Sequence, residues 1–271
     1  MELALIGTGN MGQALVRGFL RQNLITGSSI RLFDTEQDKA AAFAGEIGAL
    51  TFESAAQAVT GADLVLLAVK PQVIETAMAS FSAQLQEKSL LLSIAAGVSL
   101  QRLRLLTGPL PAIARVMPNT PAMVGSGVSA VCYDRASQEQ RHNVENLLAS
   151  CGMVFNILEK QMDAVTGLSG SGPAYVMMMI EAMADGGVLE GLNRDAAIRM
   201  AAMTLMGSAQ MVLETGTHPA VIKDQVCSPG GTTIEAVMVL EESGLRAALI
   251  NAVSTAAAKS RQMREQAGEH G

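Results

Sequence analysis

Two short stretches of this 271-residue chain combine residue types at spacings that could do chemistry. The first, Gly7-Thr8-Gly9-Asn10-Met11-Gly12, follows the apolar run "LALIG" and opens a helical pattern. In a GxGxxG set between strand and helix, Gly7 permits the tight turn, Gly9 lets backbone approach a pyrophosphate, and Gly12 lets the helix pack on the strand. The helix N-terminus then favours the anion. The second, "CSPGGTTIEA" over 227–236, places Ser228, Gly230, Gly231, Thr232 and Thr233 at the start of another helix. Successive amides of Gly230, Gly231 and Thr232 can form a nest for a carboxylate, with three hydroxyls beside it. An ordinary helix cap uses the same residue types, so spacing alone leaves both uses open. Neither stretch contains a histidine or a lysine, so the chemistry they serve must run without a strong general acid.

Further residues belong with the first stretch. Asp34 ends the run "IRLF" and is offered to the adenosine ribose hydroxyls of a dinucleotide, and "FDTEQD" contains no arginine to welcome a 2′-phosphate. Asp34 and Glu36 would instead repel it, so NADH is expected to serve at least as well as NADPH. Ala68, Val69, Lys70 and Pro71 in "LAVKPQ", and Ala95, Ala96 and Gly97 in "SIAAGVS", end the next two long runs. Small residues there let a nicotinamide ribose lie against backbone. Lys70 is either a ribose ligand or an exposed loop lysine. The expected cofactor is NADP or NAD, with the reduced form as hydride donor.

The elements that must hold these loops fall into two groups. Up to Glu159, apolar runs at 3–7, 30–33, 64–69, 90–95, 114–117, 128–133 and 153–158 alternate with amphipathic stretches. Continuous apolar runs separated by helices predict a parallel sheet covered on both faces, a doubly wound α/β Rossmann-type domain over 1–159. From 160 to 271 the pattern is helical, with helices predicted at 173–191, 195–215, 232–243 and 245–266. Asn193 is their N-cap candidate, and Gly216 and Gly244 follow helix ends. Segments such as "AYVMMMI" and "IRMAAMTLMGSAQMVL" are apolar nearly all round, more than a domain of this size can bury alone, so a tightly interleaved dimer is expected.

Composition excludes other classes. A net charge of −6 and 3% aromatic residues leave no basic or stacking footprint for nucleic acid. The run "AYVMMMIEAMADGG" meets Glu181 and Asp185 well short of the roughly 20 apolar residues of a membrane span, so no membrane partner is expected. A strand at Leu3 leaves no room for a signal peptide, and three scattered cysteines imply neither disulfides nor a metal pair, which points to the cytoplasm. Cys227 reads as a small buried thiol. His142, His218 and His270 lack metal-ligand spacing, and no metal is expected.

The chain resembles the pyrroline-5-carboxylate reductase family along its whole length, through "GTGNMG", "AVKPQ", "RVMPNTP" (115–121), "DAVTGLSGSGPAY" (163–175) and "KDQVCSPGGTTIEA" (223–236), in that order. The resemblance implies a Rossmann domain followed by a swapped helical dimerisation domain. It also implies reduction of the cyclic imine 1-pyrroline-5-carboxylate to L-proline, the last step of proline synthesis. It places Ser228, Gly230, Gly231, Thr232 and Thr233 in the substrate loop, with the Thr233 hydroxyl near the ring nitrogen as the catalytic group, and sets Glu159 and Gln225 against the substrate. An asparagine usual in the family before "ADLVLLAVKP" is missing from "FESAAQAV", so that adenosine-phosphate contact is not carried over. Imine chemistry suits the loop. Reducing a carbonyl creates an alkoxide that needs a proton, whereas reducing a protonated imine yields a neutral amine. The runner-up, a β-hydroxyacid dehydrogenase, would need a lysine and an asparagine where Val176 and Met179 stand. A dinucleotide-binding sensor without turnover is the non-enzymatic alternative.

Overall fold

The computed structural model describes residues 1–266, and His270 lies outside them. Eight strands form one sheet: β1 (Leu3–Ile6), β2 (Ile30–Phe33), β3 (Leu50–Thr51), β4 (Leu64–Leu67), β5 (Leu90–Ser93), β6 (Ala112–Met117), β7 (Gly127–Asp134) and β8 (Gly152–Asn156). Their order is β3-β2-β1-β4-β5-β6-β7-β8. β1, β4 and β5 are buried throughout, which is why their sequences do not alternate. Leu3 and Leu5 send their side chains into a core with Phe19 and Leu92, whereas Ala4 and Ile6 enter a second core with Phe81 and Leu91. Each face of the sheet thus carries its own apolar layer.

The sequence pattern predicts a parallel sheet, and the sheet is parallel at every pairing but one. β7 runs antiparallel to β6, in the register Arg115↔Cys132, while β8 is parallel to β7. The link over residues 118–126 contains only a single-turn helix, Thr120–Val124, closed by Gly125 at φ +76°. A parallel return would need a crossover of about a dozen residues or more. β3, a two-residue strand against Arg31 and Leu32, was not anticipated either.

The chain divides into two compact units, one of Met1–Ser171 with 255–266, the other Gly172–Ser254. In the second, helices span Gly172–Leu189, Arg194–Thr215, Pro219–Val226 and Thr232–Glu242, and a last helix starts at Leu245. Asn193 caps the second of these by accepting from the amides of Asp195 (2.9 Å) and Ala196 (3.4 Å), and Gly216 ends it at φ +63°. Pro219–Val226 is a further helix, begun by a proline at its first position. The buried apolar core of this unit is Ala184, Ala197 and Ala201, where small residues let two helices approach. A methyl on Gly187 would sit 3.3 Å from Ala197 Cβ. Leu189, Met178 and Ile250 remain 84%, 69% and 68% exposed. Arg194–Thr215 is long and apolar enough to cross a membrane by length and composition alone, the single such helix among the described residues. It also carries Arg194, Asp195, Arg199 and Glu214.

In the first unit the C-terminal helix is tied down by a buried carboxylate. Asp163 accepts from Ser260 Oγ at 2.7 Å and from Arg264 Nη2 at 3.3 Å. Asp163→Ala leaves the buried Ser260 hydroxyl without this acceptor and is expected to cost about 1 to 3 kcal/mol. An unchanged urea midpoint would show that the tie contributes nothing.

Candidate dinucleotide and substrate sites

The strand order reverses direction between β1 and β4, so a crevice opens at the carboxyl ends of these two strands. Gly7–Gly12 follows β1, Ala68–Pro71 follows β4, Ala95–Gly97 follows β5, and Asp34 follows β2. The four groups of cofactor candidates therefore lie on one edge of the sheet. Gly7 takes φ +92°, and a methyl there would meet the Ala68 carbonyl oxygen at 2.8 Å. At Gly12 a methyl would meet Ala68 Cβ, also at 2.8 Å. These two glycines are demanded by packing. Gly9 is not, because a methyl there would meet nothing closer than 3.9 Å. Gly9 caps the helix Asn10–Arg21 with no side-chain cap, and no acidic residue stands in the first turn. The helix N-terminus is left bare and positive, which fits a pyrophosphate.

Asp34 does more than end a strand. Its Oδ2 accepts from the Thr8 amide (2.6 Å) and the Thr8 hydroxyl (2.8 Å), and its Oδ1 from the Glu36 amide (3.0 Å). Burial raises the carboxyl, but the hydrogen bonds from Glu36 and Thr8 and the charge of Lys39 outweigh it and hold it below its ordinary value. These bonds are present at neutral pH and are lost only as the pH falls through that lowered value. Lys70 is exposed at the start of a short turn. Ser54, in the segment without the family's asparagine, caps the helix Ala55–Val59 through the Gln57 amide.

The second loop lies in the helical unit. The Gly231 amide donates to the Ser228 carbonyl (3.1 Å), closing a turn with Pro229 and Gly230 at its centre, and Gly230 takes φ +64°. A side chain at Gly231 would run into Ser228 Oγ at 2.3 Å. Gly231 caps the helix Thr232–Glu242 without a side-chain acceptor. Ser228, Gly230 and Thr232 are exposed and Thr233 half-buried, so amides and hydroxyls share one open helix end. Gln225 is exposed near the end of the preceding helix. Cys227, expected to be buried, is half-buried and caps that helix at its C-terminus, because the chain must turn outward into the loop.

Glu159 is held inside the first unit. Its Oε1 accepts from Arg115 Nη1 (2.8 Å) and from the Leu100 amide (2.7 Å), the first residue of the helix after Ala95–Gly97. Arg115 is 5% exposed on β6. One carboxylate thereby joins β6, the loop after β5 and the chain leaving β8. Burial and then the Glu159 charge push the nearby Cys132 thiol up to about 12, against Arg115, leaving an inert neutral thiol. The partnership went unassigned from the sequence, yet an arginine inside the apolar run "AIARVM" was its signal, since a charge in a buried strand requires a partner. Asn119 plays a similar part, donating to the Ser169 carbonyl (3.1 Å) and accepting from the Val128 amide (2.8 Å). It fixes the π-helical turn Thr166–Gly170, a wide turn of the kind found at functional sites. Among the described residues no cluster of three or more metal-ligating side chains occurs.

A Rossmann sheet with a bare helix N-terminus at its switch point, followed by an apolar helical unit, defines a dinucleotide-dependent oxidoreductase. Residues 2–97 match the family described as "NADP oxidoreductase coenzyme F420-dependent", and residues 159–263 match "Pyrroline-5-carboxylate reductase dimerisation". Pyrroline-5-carboxylate reductase of Escherichia coli (strain K12) is 43% identical over 263 residues, covering 97% of this chain and 98% of that protein. The solved reductase from Coxiella burnetii superposes with a TM-score of 0.90 at 31% identity, covering 97% of this chain and 98% of its own. The Plasmodium falciparum pyrroline carboxylate reductase, solved with NADP bound, gives 0.88 at 30% over the same shares. The chain belongs to the pyrroline-5-carboxylate reductase family.

Glu159→Ala leaves Arg115 buried and unpaired and the Leu100 amide without its acceptor. Because the Glu159 side chain is 34% exposed, the expected loss is about 2 to 3 kcal/mol, below that of a fully buried pair. Glu159→Gln, which keeps an acceptor oxygen, should lose roughly half as much. Equal denaturation midpoints for Glu159→Ala and the unaltered chain would contradict the assignment.

Proposed function

We propose that this chain reduces 1-pyrroline-5-carboxylate to L-proline, with NADPH or NADH as the hydride donor, in the last step of proline synthesis. The observation that carries the proposal is 43% identity to the Escherichia coli reductase along nearly the whole of both chains. The nicotinamide supplies a hydride when bound. Gly7, Thr8, Gly9, Asn10, Met11 and Gly12 hold its pyrophosphate, and Asp34 takes the adenosine ribose. Ala68, Val69, Lys70 and Pro71, with Ala95, Ala96 and Gly97, support the nicotinamide side.

The substrate loop binds and orients. The amides at Gly230, Gly231 and Thr232 receive the substrate carboxylate, with Ser228 beside them, and the Thr233 hydroxyl hydrogen-bonds the ring nitrogen. Gln225 completes the loop, and Glu159 belongs to the set through the resemblance. Holding the C=N carbon within about 3 to 3.5 Å of the hydride carbon is the main catalytic demand, since a protonated imine leaves no alkoxide to neutralise. The exposed methionines and leucines of the helical unit are covered by a second copy of the chain, which also accounts for the apolar helix Arg194–Thr215 without a bilayer. The three free cysteines suit the reducing cytoplasm.

Oxidation of NADH or NADPH on addition of pyrroline-5-carboxylate tests the assignment, and cofactor binding without turnover of any imine would leave only a sensor. Thr233→Ala should lower kcat/KM by about ten- to a hundredfold, on the order of 1.4 to 2.7 kcal/mol for one lost transition-state hydrogen bond. Full activity in that variant would remove Thr233 from the mechanism. Sedimentation at micromolar concentration should give a dimer or larger, and an active monomer would refute the pairing.

A further inference from the structure

The carboxylate that ends β2 is fixed from two sides, and its surroundings offer almost no positive charge. Turning Asp34 away from the crevice would strip the acceptor from the amide and hydroxyl of Thr8, which is fully buried. Its other oxygen is held by the Glu36 amide at 3.0 Å and faces the Thr35 hydroxyl at 3.4 Å. Of the four cationic side chains in residues 1–54, three are committed elsewhere. Arg17 pairs with Glu46 at 2.7 Å and stacks on Phe43, and Arg21 donates to the Met123 carbonyl. Arg31 donates to the Thr60 and Gln57 carbonyls and stacks on Phe52. Lys39 alone remains, 3.8 Å from Glu36.

We propose that Asp34 makes this site select the dinucleotide whose adenosine ribose carries a free 2′-hydroxyl, the same carboxylate serving as the anchor of the glycine-rich loop. The inference rests on the assignment of this sheet edge to a nicotinamide dinucleotide. A carboxylate has about four acceptor positions: the Thr8 amide and hydroxyl take those of Oδ2, the Glu36 amide takes one on Oδ1, and a ribose hydroxyl donates to the other by displacing the long 3.4 Å contact from the Thr35 hydroxyl. A 2′-phosphate has little proton to donate at neutral pH and adds a charge of nearly −2 beside a carboxylate that cannot move or find an arginine. Anchor and selector being one group, the two effects separate by substitution. Removing the Thr8 hydroxyl loosens the loop for either dinucleotide, whereas removing the Asp34 charge relieves the phosphate and takes the Oδ1 acceptor from the ribose hydroxyl, and both effects move the preference the same way.

The test is calorimetric binding of NADH and NADPH to the full-length chain, with kcat/KM for each alongside. NADH should bind at least as tightly as NADPH. Asp34→Asn, which keeps an acceptor oxygen for Thr8, should move the ratio of the two dissociation constants at least tenfold toward NADPH, and Thr8→Val should weaken both without moving it. Tighter binding of NADPH by the unaltered chain would overturn the inference, as would an Asp34→Asn ratio that stays put or a Thr8→Val shift of equal size. If neither dinucleotide binds, the assignment of the sheet edge fails and takes the inference with it.

Discussion

The two hydrogen bonds from Thr8 to Asp34 hold the first turn of the sheet in place, and much else follows from them. They tie the end of β1 to the end of β2, while Gly7 and Gly12 let that turn and its helix press against Ala68 at the end of β4. Three neighbouring strands are thereby locked at the one edge where their order reverses. The helix starting at Asn10 can then present an uncapped N-terminus to the crevice. A helix N-terminus can hold an anion through its amides only if that backbone is fixed.

The glycine-rich loop of the helical unit is built in a similar way. In the helical unit a turn closed by Ser228 and Gly231 opens the helix beginning at Thr232, again without a side-chain cap. Both helix termini lack a side-chain cap and are preceded by glycines, although the second carries Glu235 in its first turn where the first has no acidic residue. Neither contains a strong acid, and hydride addition to a protonated imine needs none. Among the buried polar side chains, Arg115, Asn119 and Asp163 act on the frame. Each fixes a segment between 159 and 171 or the helix that packs against it.

Much of this was legible in the sequence because its signals are local. The GxGxxG after an apolar run, Asp34 at the next strand end, and Asn193 and Gly216 bounding a helix all follow from single-residue backbone or capping preferences. Where the partners lie far apart in sequence, the pattern was silent. The pattern offered Asp34 to a ribose, and the resemblance offered Glu159 to a substrate, but neither pointed to Thr8 as the donor to Asp34 or to Arg115 as the partner of Glu159. The reversal at β7 was hidden for another reason: an apolar run reads the same in either direction, and only the shortness of the link after Met117 decides it. The helical unit was legible as strongly apolar, and residues 159–263 match a dimerisation family while the buried cluster between its first two helices is three alanines.

As a pyrroline-5-carboxylate reductase, the chain passes a hydride from the nicotinamide to the carbon of a cyclic imine. Isotope transfer tests it most directly. With nicotinamide dinucleotide deuterated at the hydride position and pyrroline-5-carboxylate in ordinary water, mass spectrometry should find proline carrying one deuterium, on the ring carbon that adjoins nitrogen and does not bear the carboxylate. Proline formed without the label, or no proline while the cofactor is oxidised, would contradict it.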